Sequence, residues 1–179
     1  SDVYKRQVRV DDAAQAAERA ETLGAPRVFR RTYAGEQDLR AVAAPDGTEV
    51  YWNDHPAESS WVTEFDGGEP DHELRGVVDH VNLAQPWQHF DESVLFYSSV
   101  LGLTAESSTD VPGPSGLVRS QVMRASDGVL RIPLNLAPPT APIPAQHVAL
   151  RCDDVIAVAC QARERGLRFL PIPDNYYDD

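Results

Sequence analysis

The feature that most constrains this chain is a repeated strand signature. Val78-Asp79-His80-Val81-Asn82-Leu83 and Ala145-Gln146-His147-Val148-Ala149-Leu150 share the pattern His-Val-x-Leu, 67 residues apart. Side chains alternate between two faces along a strand. Each histidine therefore shares a face with the residue two places on, while Val81 and Leu83, or Val148 and Leu150, line the other. The aliphatic face suits a covering helix, and the histidine points away from it. Two such strands from repeated units can direct two imidazoles at one point, which is how a metal site is assembled on a repeat scaffold.

A second recurrence runs beside the first. Val10-Asp11-Asp12 precedes a helical stretch ending at Leu23-Gly24, and Cys152-Asp153-Asp154 precedes one ending at Arg165-Gly166; in both, the second aspartate stands 12 residues before the glycine. Aspartate at such a junction accepts from the first free N–H groups and suits the positive helix end. The glycine supplies the left-handed residue that ends the helix. Between them Ala13, Ala16, Ala17, Ala20 and Leu23, and likewise Val155, Val158, Ala159 and Ala162, fall at helical spacing. A further copy lies in the middle. Its first strand is expected over 77–83, and its helix opens at Asp91 and Glu92, presents Val94, Leu95, Tyr97, Val100 and Leu101, and closes at Gly102. Strands are expected over 104–108, 117–125 and 129–136, with Ser126-Asp127-Gly128 as a tight turn. The first copy has the same tail, with strands over 38–44 and 48–53 around Pro45-Asp46-Gly47.

Each full unit thus reads strand, helix, then three strands. The expected fold class is α+β, with repeated βαβββ modules forming curved mixed sheets and the last module truncated. Residues 8–66 make a first module that lacks its start. It has Val8-Arg9-Val10 where a ligand histidine would stand, so it reads as structural. Residues 75–138 make a complete module with the first histidine. Residues 145–179 begin a third with the second histidine, ending in a strand over 168–172, two strands short of its neighbours. Pro138-Pro139-Thr140-Ala141-Pro142-Ile143-Pro144 reads as a stiff extended linker. Residues 1–7 follow no element pattern and read as a leader foreign to the fold. On this reading the chain is an internal piece of a longer protein.

The net charge of −12 argues against nucleic acid or an anionic membrane as partner. No apolar run is long enough to span a bilayer, and no secretory signal stands near the start. Cys152 and Cys160, the only cysteines, lack Cys-x-x-Cys spacing and read as reduced, mostly buried thiols, with a cytoplasmic location as the default expectation.

With the module and the paired histidine strands in hand, the chain resembles the vicinal oxygen chelate superfamily, and within it the 4-hydroxyphenylpyruvate dioxygenase family, over residues 8–179. Val78-Asp79-His80-Val81 resembles the family's first metal-ligand strand, and Phe96-Tyr97 through Leu101-Gly102-Leu103 its following helix. Val118-Arg119-Ser120-Gln121-Val122-Met123 and Arg131-Ile132-Pro133-Leu134-Asn135 resemble its hairpin. Gln146-His147-Val148-Ala149-Leu150 resembles its second ligand strand, and Tyr176-Tyr177 after Pro173 its closing stretch. The resemblance implies Fe(II) held by two histidines, His80 and His147, and by a glutamate from a last strand that this chain does not include. Mg, Mn or Co are the other divalent metals such a site would take. It also implies a 2-oxo acid or related aromatic metabolite as substrate, with Ser120, Asn135 and Gln146 lining its cavity. A 2-His-1-carboxylate face leaves open positions for such chemistry.

The chain departs from the family in three ways. Asn135-Leu136-Ala137 replaces the usual Asn-Glu-Pro, the approach to the second histidine is short and Pro-rich, and a further glutamine expected there has no counterpart. The short linker and the stretch from Leu170 to Asp179 look more like bacterial fusion proteins that join a barrel with 3-dehydroshikimate dehydratase activity to a dioxygenase-like C-terminal half. Three functional expectations follow: a dioxygenase-like metal domain, the dioxygenase-like half of a dehydratase fusion, or a non-catalytic binding or assembly domain. The partner is a small molecule, and homo-oligomerisation is compatible with the sequence.

The remaining polar groups have simpler readings. His89 and Glu92 belong to a solvated helix N-terminus, and His55 and His72 sit in polar loops. Asp79 supports the site or ends a strand rather than acting as a ligand. Asp11-Asp12 and Asp153-Asp154 are helix caps, and Trp52, Trp61 and Trp87 pack between units. No residue is assigned as a nucleophile or general base.

Overall fold

The computed structural model describes residues 4–55, 77–113, 116–137 and 146–171. His72, Trp61, the Pro-rich linker and Tyr176-Tyr177 lie outside them.

The first unit runs β1 (Lys5–Arg9), α1 (Ala13–Thr22), β2 (Arg27–Val28), β3 (Ala41–Ala43) and β4 (Glu49–Asn53). Its sheet has the order β1-β4-β3-β2, with β1 parallel to β4 and the other pairs antiparallel. The second unit runs β5 (Val77–Pro86), a 3-10 turn (Trp87–His89), α2 (Phe90–Ser99), β6 (Thr104–Ala105), β7 (Thr109–Gly113), β8 (Gly116–Arg124) and β9 (Arg131–Ala137). Its strands repeat the order, β5-β9-β8-β6, again with the first strand parallel to the last. β10 (His147–Arg151) opens the third unit, lies antiparallel on the free side of β5, and leads into α3 (Val155–Glu164). The molecule is α+β, with curved mixed sheets.

The recurring Asp…Gly spacing works as the sequence implies. Asp12 accepts from Gln15 N at 2.8 Å, and Asp154 from Ala157 N at 2.9 Å. Both helices span ten residues. Both close on a positive-φ glycine, Gly24 at 88° and Gly166 at 90°, followed by an N–H returning to the last turn (Ala25 to Ala20 O, Leu167 to Ala162 O). In the hairpin at Pro45-Asp46-Gly47, Asp46 Oδ1 accepts from Thr48 N at 3.0 Å, and in the turn at Ser126-Asp127-Gly128, Asp127 Oδ1 accepts from Val129 N at 2.9 Å.

Several expectations need correction. Lys5-Arg6-Gln7 do not stand outside the fold: they pair with Glu49, Val50 and Tyr51 in β1. A strand is held by backbone groups, so an unpatterned sequence can still complete a ladder. The second unit carries an extra strand, β7, on β8. Its Pro112 and Gly113 disguise it, and both are tolerated because β7 pairs on one side only. No strand forms over 168–171. Val148 and Leu150 are 54% and 63% exposed and α3 has no buried residue, so the aliphatic face of the second histidine strand is not covered.

One core spans the first two units. It joins Ala17 and Ala20 of α1, Val42, Val50 and Trp52 of the first sheet, Phe96 and Tyr97 of α2, and Leu83, Met123 and Leu134 of the second sheet. Trp52 packs between units as expected, whereas Trp87 is 59% exposed. A polar chain crosses the same junction. Ser93 Oγ donates to Gln85 Oε1 at 2.6 Å, Gln85 Nε2 to Asp46 Oδ2 at 2.9 Å, and Thr48 Oγ1 to the same oxygen at 2.9 Å. Among the described residues no helix is long and apolar enough to cross a membrane.

Candidate metal-binding face

Strand register decides which side chains meet. Residues directly opposite on paired strands share a face, as do residues two apart on one strand. Ser120 on β8 is opposite Asn135 on β9, Asn135 is opposite Ala84 on β5, and Asn82 on β5 is opposite His147 on β10. Counting back by twos from Ala84 reaches Asn82 and His80. Ser120, Asn135, Asn82, His80 and His147 therefore occupy one face of the sheet. The other face carries Leu83, Met123 and Leu134, against which α2 packs.

The two imidazoles face each other edge to face, with ring centroids 5.6 Å apart and planes at 77°. His80 is partly buried and His147 is exposed. His80 Nδ1 lies 2.7 Å from Asp79 Oδ2, which also receives Arg131 Nη2 at 2.5 Å. The hydrogen bond from His80, aided by the Arg131 charge, holds the Asp79 carboxyl below the usual carboxylate range. Ser120 is buried, and Asn135 has its Oδ1 out of solvent with no hydrogen-bond partner among the described residues. Asn82 is buried and donates from Nδ2 to Pro133 O at 3.3 Å.

Gln146 is not brought to this face. Its Oε1 accepts from Arg6 Nη2 of β1 at 2.6 Å. Arg6 lines a small cavity with Val81 and Leu83, on the helix side of the sheet. A larger open cleft of about 640 Å³ reaches the histidine face only at Asp79, His80 and Arg131, and it does not touch Ser120, Asn135 or His147. His89 Nδ1 and Glu92 Oε2 pair at 3.0 Å on the exposed start of α2, apart from the histidine pair.

The arrangement suits a metal. A ligating ring nitrogen sits about 2.0–2.1 Å from a metal such as zinc, which puts the ring centroid about 3.2 Å from it, so two ligand rings can be no more than about 6.4 Å apart. The observed 5.6 Å lies within that bound. A carboxylate on the non-ligating nitrogen is the usual support of a metal histidine. Among the described residues no third His, Cys, Asp or Glu joins the pair. The contribution of Arg131 was not anticipated from the sequence. Its signal was available, because Arg131, Pro133 and Asn135 alternate onto one face of β9.

Known proteins share this chain's sequence and fold. The model of the Glyoxalase/Bleomycin resistance protein/Dioxygenase superfamily matches residues 77–179. The chain is 35% identical over 95% of its length to a 3-dehydroshikimate dehydratase of Pseudomonas aeruginosa, of which it spans 29%. It is 28% identical, again over 95% of its length, to a 4-hydroxyphenylpyruvate dioxygenase of the same organism, of which it spans 52%. A solved xylose isomerase-like TIM barrel/4-hydroxyphenylpyruvate dioxygenase fusion protein superposes with a TM-score of 0.70 at 27% identity, covering 97% of this chain and 29% of that one.

Proposed function

The chain belongs to the glyoxalase/bleomycin resistance protein/dioxygenase superfamily, and we propose that it is the dioxygenase-like part of a longer metalloprotein in which His80 and His147 hold Fe(II). The carrying observation is the imidazole pair, 5.6 Å apart on one sheet face with Asp79 already engaged on His80. The third ligand is a glutamate from the rest of the third unit, in the longer protein. Bound iron would supply Lewis acidity and redox chemistry toward a 2-oxo acid or related aromatic metabolite; Mg, Mn or Co would supply the first alone or with different redox character.

Ser120 and Asn135 would position the substrate from the histidine face. Asn135 Oδ1, unpartnered and out of solvent, calls for a donor such as a substrate hydroxyl. Ser120, directly across the hairpin, can donate or accept beside it. Gln146 would join them only by exchanging its Arg6 partner. Cys152 is partly exposed and Cys160 exposed, not mostly buried as the sequence led us to expect, and a cytoplasmic location remains part of the proposal.

Anaerobic binding of Fe(II) and Co(II) to the longer parent is the test. One metal per chain is expected, lost in both His80→Ala and His147→Ala. Unchanged metal content in both variants would overturn the reading and leave this part as a binding or assembly domain. The identity to 3-dehydroshikimate dehydratases favours a second reading, in which the parent also carries a dehydratase barrel. That activity is then expected to survive His80→Ala, while dioxygen uptake does not.

A further inference from the structure

The two histidines are not equivalent. Each follows a residue that an arginine holds: Arg131 holds Asp79, and Arg6 holds Gln146. Only Asp79 also reaches its own histidine. An ionised carboxylate can only accept, so a 2.7 Å contact with Oδ2 requires His80 Nδ1 to carry the proton. The neutral ring then has its lone pair on Nε2. Arg131 fixes the carboxylate from the other side, with Nη2 2.5 Å from the same oxygen and 3.4 Å from His80 Nδ1. The three side chains are 23% (His80), 24% (Asp79) and 32% (Arg131) exposed, so the arrangement is not a freely solvated surface pair. The strands explain the placement: continuing the parallel register of β5 and β9 back from Leu83 and Leu134 brings His80 level with Arg131. His147 has no such holder in its neighbour Gln146, and it stands exposed on the outermost strand of its sheet.

We propose that Asp79, anchored by Arg131, is a positioning residue that presets His80 as an Nε2 ligand, so that His80 forms the fixed half of the metal site and His147 the adaptable half. This rests on the metal-binding reading above. The ring of His80 is oriented before metal arrives, and His147 closes on the ion afterwards.

The experiment uses the longer parent, with Co(II) alone as probe, and nitrogen NMR of the metal-free protein to read the ring tautomers. In the wild type, His80 is expected as the Nδ1–H tautomer. Asp79→Ala should lose that preference and weaken Co(II) binding about 10- to 100-fold, the range seen when outer partners of metal ligands are removed. Asp79→Asn keeps an oxygen acceptor for both donors and should recover most of the affinity, which also controls for misfolding of the alanine variant. Arg131→Gln should fall between the two. Co(II) affinity in Asp79→Ala within about twofold of wild type, with His80→Ala still abolishing binding, overturns the positioning role and leaves the metal site standing. No Co(II) uptake by the wild type removes the metal reading, and this role with it, whatever the tautomer.

Discussion

At the scale of single residues, the histidine face carries buried polar groups, Asn82 and Ser120 among them. Asn135 Oδ1 is out of solvent without a partner, a state that costs about 1–3 kcal/mol. Replacing Asn135 with Leu is therefore expected to raise stability by about 1 kcal/mol in urea unfolding and, on the proposed function, to weaken substrate binding on this face. Tyr51 makes a different residue-level prediction. Burial and its hydrogen bond to Glu49 push its phenol up to about 12. An unfolded tyrosine ionises near pH 10. The folded form thus retains a proton that the unfolded form loses, and stability present below pH 10 is lost as pH rises from about 10 toward 12. Burial also raises Tyr97, in the core between the units, which adds to the same fall. Unfolding measured from pH 8 to 11 should show a shallower loss in Tyr51→Phe than in the wild type. His80 and His147 stood out in the sequence because their strands repeat, and Ser120 and Asn135 only through the family resemblance; it is strand register that puts the four on one face. The Arg6 partner of Gln146 was not legible in the sequence, since it depends on a strand 140 residues away.

At the scale of elements, the two capped helices are twins in sequence and opposites in packing. α1 buries Ala17 and Ala20 against the first sheet, whereas α3 buries nothing. Removing an N-cap costs about 1 kcal/mol of helix stability. In Asp12→Ala that loss should appear in global unfolding, because α1 belongs to the core. In Asp154→Ala it should appear as faster hydrogen exchange confined to α3, with the global midpoint unchanged. Helix bounds were legible because caps and closing glycines act locally. Strand bounds were less so. β1 reaches into an unpatterned stretch because β4 offers a free edge, and β7 forms despite Pro112 because β8 supplies the ladder.

At the scale of the whole molecule, the first two units are expected to unfold as one body, since apolar and polar contacts both cross their junction. Gln85 is fully buried between Asp46 of the first unit and Ser93 of α2. Gln85→Ala strands Ser93 and one lone-pair site of Asp46, and should cost about 2–3 kcal/mol in a transition that remains single. The third unit behaves otherwise. Val148, Leu150, Val155, Ile156 and Leu170 are all more than half exposed, and apolar side chains beside an open strand edge favour association. Sedimentation should show concentration-dependent self-association, weakened by Ile156→Lys.

The sequence by itself determined the module, its repetition, the helix ends and the pairing of two histidines on like strands, because caps, turns and side-chain alternation are local and survive without knowledge of partners. Only the tertiary structure decided that β10 lies antiparallel on β5, so that the histidines meet at 5.6 Å, that Arg131 locks Asp79 onto His80, and that Gln146 turns to Arg6. Those outcomes depend on which edges find each other and in what register, and register is set by long-range packing rather than by neighbours along the chain.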